Sequence, residues 1–398
     1  MRALLSVVTA LLVACAAGGA APAAPKVEFT GPASSASPNL ARSADGAAVL
    51  TWHERIADKG HALRFAVRSA QGWSEPRTIV ESDSFFVNWA DFPSLVSLAD
   101  GSWIVHGLAR VPGGVYAYHV RLAISHDRGM TWSRPITAHR DRSPQEHGFV
   151  AMVPWDDSTV ALVWLDGREM KSADASHESE GDMTLRFGTV TSSGRLGQES
   201  LLDARTCECC QTALVRARTG LVAAYRDRSP EEIRDITVVR QVGGSWTAPR
   251  KVAEDNWHYP GCPVNGPQLS AWGDTVAIAW FTAPASQPRV FVAFSFDGGA
   301  SWGIPVRVDD GRPEGRVDIE LLSGGRAVVT WLESGSVAAQ VRGRRVNANG
   351  RTGRSWQLTE SSGARSSGFP RLLQFGDDIL VVWTSPQGIR VAMQRLEE

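Results

Sequence analysis

Seven times along the chain a short apolar run returns, usually ending in an aromatic residue: VLTWHE (49–54), WIVHGLA (103–109), VALVWLD (160–166), LVAAYRD (221–227), VAIAWFT (276–282), AVVTWLE (327–333) and ILVVWTS (379–385). A short strand and a turn with Gly, Asp or Asn come before each run. A third, alternating strand such as LRFAVRSA, ITVVRQV or IRVAMQRL comes after it. A unit of about 50 to 65 residues with four short strands reads as the blade of a β-propeller. The sequence therefore predicts an all-β chain of four-stranded blades, seven by this count, or six if one unit is irregular. The last unit stops after its third strand. The stretch KVEFTGPASSASPNL resembles the strand and connector that precede other blades, so residues 26–31 are expected to pair beside 389–396. That pairing closes the ring and leaves no exposed break in it.

The 398 residues carry 41 basic and 42 acidic side chains, with no basic cluster, so the electrostatic footprint of a nucleic-acid binder is absent. Four of the basic residues, Lys26, Lys59, Lys171 and Lys251, are lysines and the rest are arginines, the side chain suited to bidentate grip on carboxylates. Genome base composition produces the same bias. At the N-terminus MRALLSVVTALLVAC has one cation and an apolar run too short to span a bilayer, the pattern of a secretion signal. LVAC (12–15) resembles the bacterial lipobox, which implies residues 1–14 as a signal peptide, acylation of Cys15, and 15–25 as a flexible tether. The expected domain is then 26–398, a monomer exported to the periplasm or outer membrane and touching membrane only through its lipid.

SHDRGMTW (125–132) returns as SFDGGASW (295–302), both reading S-x-D-x-G-x-x-W after an alternating strand. This resembles the Asp-box, or BNR repeat, of the sialidase superfamily, which forms the turn between a blade's third and fourth strands. The resemblance implies that Ser125 and Ser295 are structural positions of the box, that Asp127 and Asp297 cap turn N–H groups, that Gly129 and Gly299 take permissive angles, and that Trp132 and Trp302 pack between strands. Worn copies stand at SAQGWSEP (69–76), GGSWTAP (243–249) and NGRTGRSW (349–356). In that family these turns lie opposite the binding site, so they speak for the fold and not for chemistry.

Function is then expected in the loops facing the other way. HERIADKGH (53–61), DSFFVNWADF (83–92), LDGREMKSADASHESEGD (165–182), TCECCQ (206–211), YRDRSPEEIRD (225–235), DNWHYPGCPVNGP (255–267) and DDGRPEGRVD (309–318) are rich in Arg, Asp, Glu, His and aromatics. Resemblance to sialidases extends through residues 37–335. TALVRARTGLVAAYR puts Arg226 where the family has the second arginine of its carboxylate-binding triad, and APASQPRVFVAFSFDGGASW puts Arg289 at the third. There are departures. Ala36-Ser37-Pro38 stands where the first arginine belongs, Arg316 stands at the tyrosine nucleophile, and Cys209 and Cys210, with Glu208 close by, stand at that tyrosine's glutamate partner. Of four tyrosines, Tyr225 and Tyr259 are expected on the rim. Arg226, Arg289, Arg316, Tyr225, Tyr259 and His258 are thus the candidate ligand contacts. Asp58, near the place of the family's acid, and Asp227, Glu231 and Asp235 are the candidate proton-transfer groups.

Beyond Cys15 the cysteines are Cys207, Cys209, Cys210 and Cys262, all in loops that open successive blades. Two disulfides, in any of three connectivities, account for four cysteines in an oxidising compartment, and a link from the CECC loop to Cys262 would pin two neighbouring blades. Thiolates with His258 or His147 as metal ligands are the alternative, although C-x-C-C lacks zinc-knuckle spacing. No cofactor is implied. Two functions stay open: a sialidase-type glycosidase with an altered site, or a tethered module that binds an anionic glycan or a protein without turning it over.

Overall fold

The computed structural model describes residues 24–170, 181–322 and 324–396. These residues form seven antiparallel sheets of four strand positions each. Innermost in each blade, in chain order, are Ser35–Arg42, Leu95–Ser97, His147–Pro154, Ala213–Ala217, Gln268–Trp272, Pro313–Leu322 and Arg371–Phe375. Each pairs with the next strand in sequence and, through it, with a third. Helix among the described residues is limited to single 3-10 turns at Pro284–Ser286 and Arg365–Ser367. The expectation of seven blades holds, and the six-blade alternative falls.

All seven apolar runs are second strands, flanked by partners on both edges and by neighbouring blades on both faces. In Thr159–Asp166 every residue is buried, which is why such strands read as continuous apolar runs rather than alternating ones. Trp52, Trp164, Trp280 and Trp331 from four of these strands have no exposed surface. The core is divided into wedges between neighbouring blades. One wedge packs Ile104, Leu122 and Tyr118 of blade 2 on Leu162 and Trp164 of blade 3, and another packs Ala277, Phe281 and Val292 of blade 5 on Ile319, Val329 and Trp331 of blade 6.

Blade 7 takes its outer strand from the start of the domain. Lys26–Thr30 pairs antiparallel with Gly388–Gln394, Lys26 opposite Met393 and Thr30 opposite Arg390. The chain then enters blade 1, and an ion pair of 2.8 Å from Arg68 to Glu28 ties the closing strand to that blade.

The two S-x-D-x-G-x-x-W segments turn between the third and fourth strands of blades 2 and 5. In each, the serine hydroxyl donates to the aspartate (2.8 and 2.7 Å) and accepts from the glycine N–H (2.7 and 2.8 Å), and the aspartate accepts the N–H of Thr131 or Ser301. Gly129 and Gly299 have φ of 80° and 81°, so a left-handed residue is required at both. Trp132 meets the Phe65 ring of blade 1 edge-on at 5.9 Å. Because each blade is an antiparallel meander, these turns share one face of the ring. The second-to-third loops and the connections between blades share the other, the mouth.

Candidate functional site at the propeller mouth

The mouth is built from the residues that open each innermost strand. Three of those strands bulge there, between Ala36 and Asn39, Gly148 and Ala151, and Gly315 and Asp318. Ser37, Phe149 and Arg316 consequently take φ of 51°, 52° and 53°, a conformation that costs any residue with a Cβ. Cross-blade bonds hold the collar. Phe149 N–H donates to Asp91 Oδ2 (2.5 Å), Thr212 Oγ1 to the Phe149 carbonyl (2.6 Å), Gln211 Nε2 to the Ala90 carbonyl (2.7 Å), Gly266 N–H to Gln211 Oε1 (2.9 Å) and Arg316 N–H to Asn265 Oδ1 (2.7 Å). Below lies a channel of about 330 Å³ lined by the innermost strands, including Asn39, Gln268, Glu320 and Arg371. On the blade 7 side Trp89 stacks on Phe369 at 5.7 Å, with Arg316 and Arg365 over the Trp89 ring at 5.0 and 6.0 Å.

Acidic groups meet on the blade 2 to blade 4 side, in two different environments. Half-buried Glu146 accepts a hydrogen bond from the Tyr118 hydroxyl, whose ring is stacked on Phe86 at 4.0 Å. Burial, with the negative charges of Asp91 and Glu208 adding to it, pushes the Glu146 carboxyl up to about 7. Glu208 is clamped by cations instead: Arg228 bonds one oxygen and Arg234 the other at 3.0 Å, and both arginines also hold Glu232, at 2.8 and 2.7 Å. Asp227, mostly desolvated, is raised to about 6 and accepts the N–H of Arg228 at 2.7 Å. A carboxyl raised in this way, within electrostatic reach of a carboxylate clamped by arginines, can supply a proton while its neighbour supplies negative charge.

Several residues singled out from the sequence serve the frame. Arg226, 1% exposed, donates to the carbonyls of Asn265 (2.9 and 2.7 Å), Arg234 (2.5 Å) and Phe281 (2.6 Å), with its guanidinium over Trp257 at 4.8 Å. Arg289 donates to Gln287 Oε1 at 2.8 Å, and among the described residues its hydrogen bonds share no side-chain partner with those of Arg226. Arg316 spends its donors on Ser367 and on the carbonyls of Gly363, Ala364 and Gly368. Buried Asp235 bridges Lys251 (2.9 Å) and the N–H of Trp257 (3.1 Å), and exposed Glu231 accepts from Ser229 at 3.0 Å within its own loop. Tyr225 is not on the rim. It faces the wedge between blades 3 and 4 and donates to Asp203, because the alternation of its strand turns it inward. Tyr259 and His258 are exposed on the rim, and Asp58 stands exposed at the tip of a blade 1 turn with φ of 60°.

The cysteines form one disulfide, Cys209–Cys262, joining the connection into blade 4 to the connection into blade 5. The expected second bond is not formed. Cys207 and Cys210 are buried free thiols with sulfurs 2.9 Å apart. Burial raises the Cys207 thiol, while the hydrogen bond from Cys207 and the Arg226 charge overcome burial and lower Cys210. His147 is engaged elsewhere, stacked on His139 at 4.0 Å with Nε2 3.0 Å from Asp141. Cys15 and most of the tether lie outside the described residues, as does the middle of the 165–182 loop.

Sequence reading missed Glu146, Tyr118, Asp91, Trp89 and Gln211. The available signal was position: Glu146 and Gln211 each stand within two residues of an innermost strand, where a side chain reaches the mouth.

No protein-family model matches the chain, and no curated protein matches it in sequence. Solved structures do resemble it. A protein of unknown function from Dyadobacter fermentans aligns over 95% of this chain and 99% of its own, with 15% identity and a TM-score of 0.55. The α-L-arabinanase of Penicillium chrysogenum, solved with arabinobiose, aligns over 95% and 99% with 14% identity and a TM-score of 0.52. A Hadza microbial sialidase aligns over 91% of this chain and 66% of its own, with 13% identity and a TM-score of 0.51. At such identities the likeness is one of fold, and the fold is the sialidase-like seven-bladed β-propeller.

Proposed function

We propose that the protein is an exported glycoside hydrolase, tethered by a lipid on Cys15, that takes an anionic glycan at the propeller mouth. One observation carries the reading: Glu146, raised to about 7 and so still carrying its proton in about half the molecules at pH 7, lies within electrostatic reach of Glu208, which Arg228 and Arg234 clamp. In this role Glu146 donates its proton to the glycosidic oxygen. Glu208 stabilises the positive charge that develops on the sugar ring or draws the proton from an attacking water. Arg365, over the Trp89 ring with no ion pair among the described residues, offers a cation to an acid group. The fold's resemblance to a sialidase and an arabinanase supports a carbohydrate ligand.

The second reading is a binding module without turnover. It is favoured by Arg226 and Arg316, whose donors go to carbonyls and leave little for a ligand. Calorimetry and release assays with sialosides, uronic-acid glycans and arabinan oligosaccharides separate the two. Hydrolysis that Glu146→Gln abolishes and Arg365→Ala weakens supports the enzyme, binding without hydrolysis supports the module, and neither binding nor hydrolysis overturns the glycan reading. For the anchor, palmitate labelling should disappear in Cys15→Ser; labelling that survives the substitution defeats it.

A further inference from the structure

The sulfur cluster at the mouth is unused by the chemistry proposed above. Cys207, Cys209 and Cys210 come from a four-residue segment, yet their sulfurs all lie within 4.8 Å of one another, with 2.9 Å between Cys207 and Cys210 and 3.9 Å between Cys207 and Cys209. Cys262 arrives from the neighbouring connection and bonds Cys209, so four sulfurs from two loops converge on one point. Two of the four are buried free thiols. Charge around them is positive: Arg226 and Arg234, both nearly fully buried, act electrostatically on these sulfurs. Arg234 has Glu208 and Glu232 as partners, but Arg226 hydrogen-bonds only carbonyls. Asp255 acts electrostatically on Arg226, and a cluster of thiolates around a cation, which carries net negative charge, adds to that balance beside both buried guanidiniums.

We propose that in the reduced protein Cys207, Cys209, Cys210 and Cys262 bind a soft d¹⁰ cation, Zn²⁺ or Cu⁺. Thiolate is the ligand such ions prefer, and an all-sulfur set excludes the hard cations that need oxygen. Loading follows reduction of Cys209–Cys262 by a dithiol. Two electrons and two protons open that bond to two thiols, the dithiol becomes its own disulfide, and the four thiols release their protons as the cation binds. The bound state replaces one covalent link between the connections into blades 4 and 5 by a metal bridge between the same two segments.

The test uses the untagged domain, residues 24–398, reduced with dithiothreitol without air and titrated separately with Zn²⁺ and Cu⁺, then desalted against a chelator. The expected result is a stoichiometric cation retained by the wild type, with its four cysteines protected from alkylation. Co²⁺ should give a thiolate charge-transfer band. The Cys207→Ser/Cys210→Ser double variant should lose all three signals. That variant keeps the Cys209–Cys262 pair, so a wild-type far-ultraviolet spectrum and melting profile show that the loss is not unfolding. Metal surrendered entirely to the chelator by the reduced wild type, or retained equally by the double variant, overturns the proposal. So does alkylation of Cys207 and Cys210 in the reduced wild type at the same rate with and without excess metal.

Discussion

Replacing Arg226 by alanine separates a ligand-gripping arginine from a structural one. In the folded chain its guanidinium satisfies the carbonyls of Asn265, Arg234 and Phe281, which belong to the connection into blade 5, the blade 4 loop and the second strand of blade 5. Truncation leaves these carbonyls buried without their donor and removes the cation from the Trp257 face. At roughly 1–2 kcal/mol for each carbonyl deprived of a charged donor, the loss is about 3–6 kcal/mol. Unfolding entropy of about 2.1 cal/mol/K per residue over a domain of this size converts that into a fall in Tm of roughly 4–8 °C. Differential scanning calorimetry measures it, with Arg289→Ala as the control: among the described residues the Arg289 side chain bonds Gln287 alone, and its loss should move Tm by less than about 1 °C. If Arg226→Ala melts within a degree of the wild type, the scaffold role assigned to Arg226 is wrong. Loss of glycan binding in that same stable variant would return it to the ligand.

Glu146 should make stability depend on pH. Its folded value, about 7, lies above the ordinary glutamate value of 4.5, so the folded chain keeps a proton that the unfolded chain gives up. The contribution is whole below about pH 4.5 and lost by about pH 7, at most about 3 kcal/mol, so Glu146→Gln should gain on the wild type between pH 5 and 8 in denaturant melts. An equal difference at both pH values contradicts the burial argument. If the same carboxyl is the proton donor, activity should fall along an alkaline limb near pH 7. In the turn at 125–132, Gly129→Ala should cost more than Gly46→Ala, because both have φ above 80° or near it but a Cβ at 129 would come within 2.7 Å of the Phe65 ring while one at 46 meets nothing. Urea midpoints that rank them the other way refute the packing.

What the sequence determined was periodic. Second strands buried on both faces must be apolar throughout, so seven runs announced seven blades, and a final unit lacking one strand announced closure by Lys26–Thr30. The S-x-D-x-G-x-x-W turns were legible because the bonds their serine and aspartate side chains make are local, spanning at most four residues. The site was not local, and only the closed ring decided it. Arg226 and Arg316 look in sequence like cations available to a substrate, but carbonyls contributed by other blades consume their donors. Glu146 sits in an unremarkable SPQEHGF segment, and its raised carboxyl comes first from burial that exists only once blades 2, 3 and 4 meet, and then from Asp91 and Glu208, which stand 55 and 62 positions away. Tyr225 was placed on the rim by its position near a loop, yet strand alternation turned it toward Asp203 of the preceding blade. Desolvation and cross-blade hydrogen bonding act between residues far apart in the chain, so the charge state of a mouth residue is a property of the ring and cannot be read from the loop that carries it.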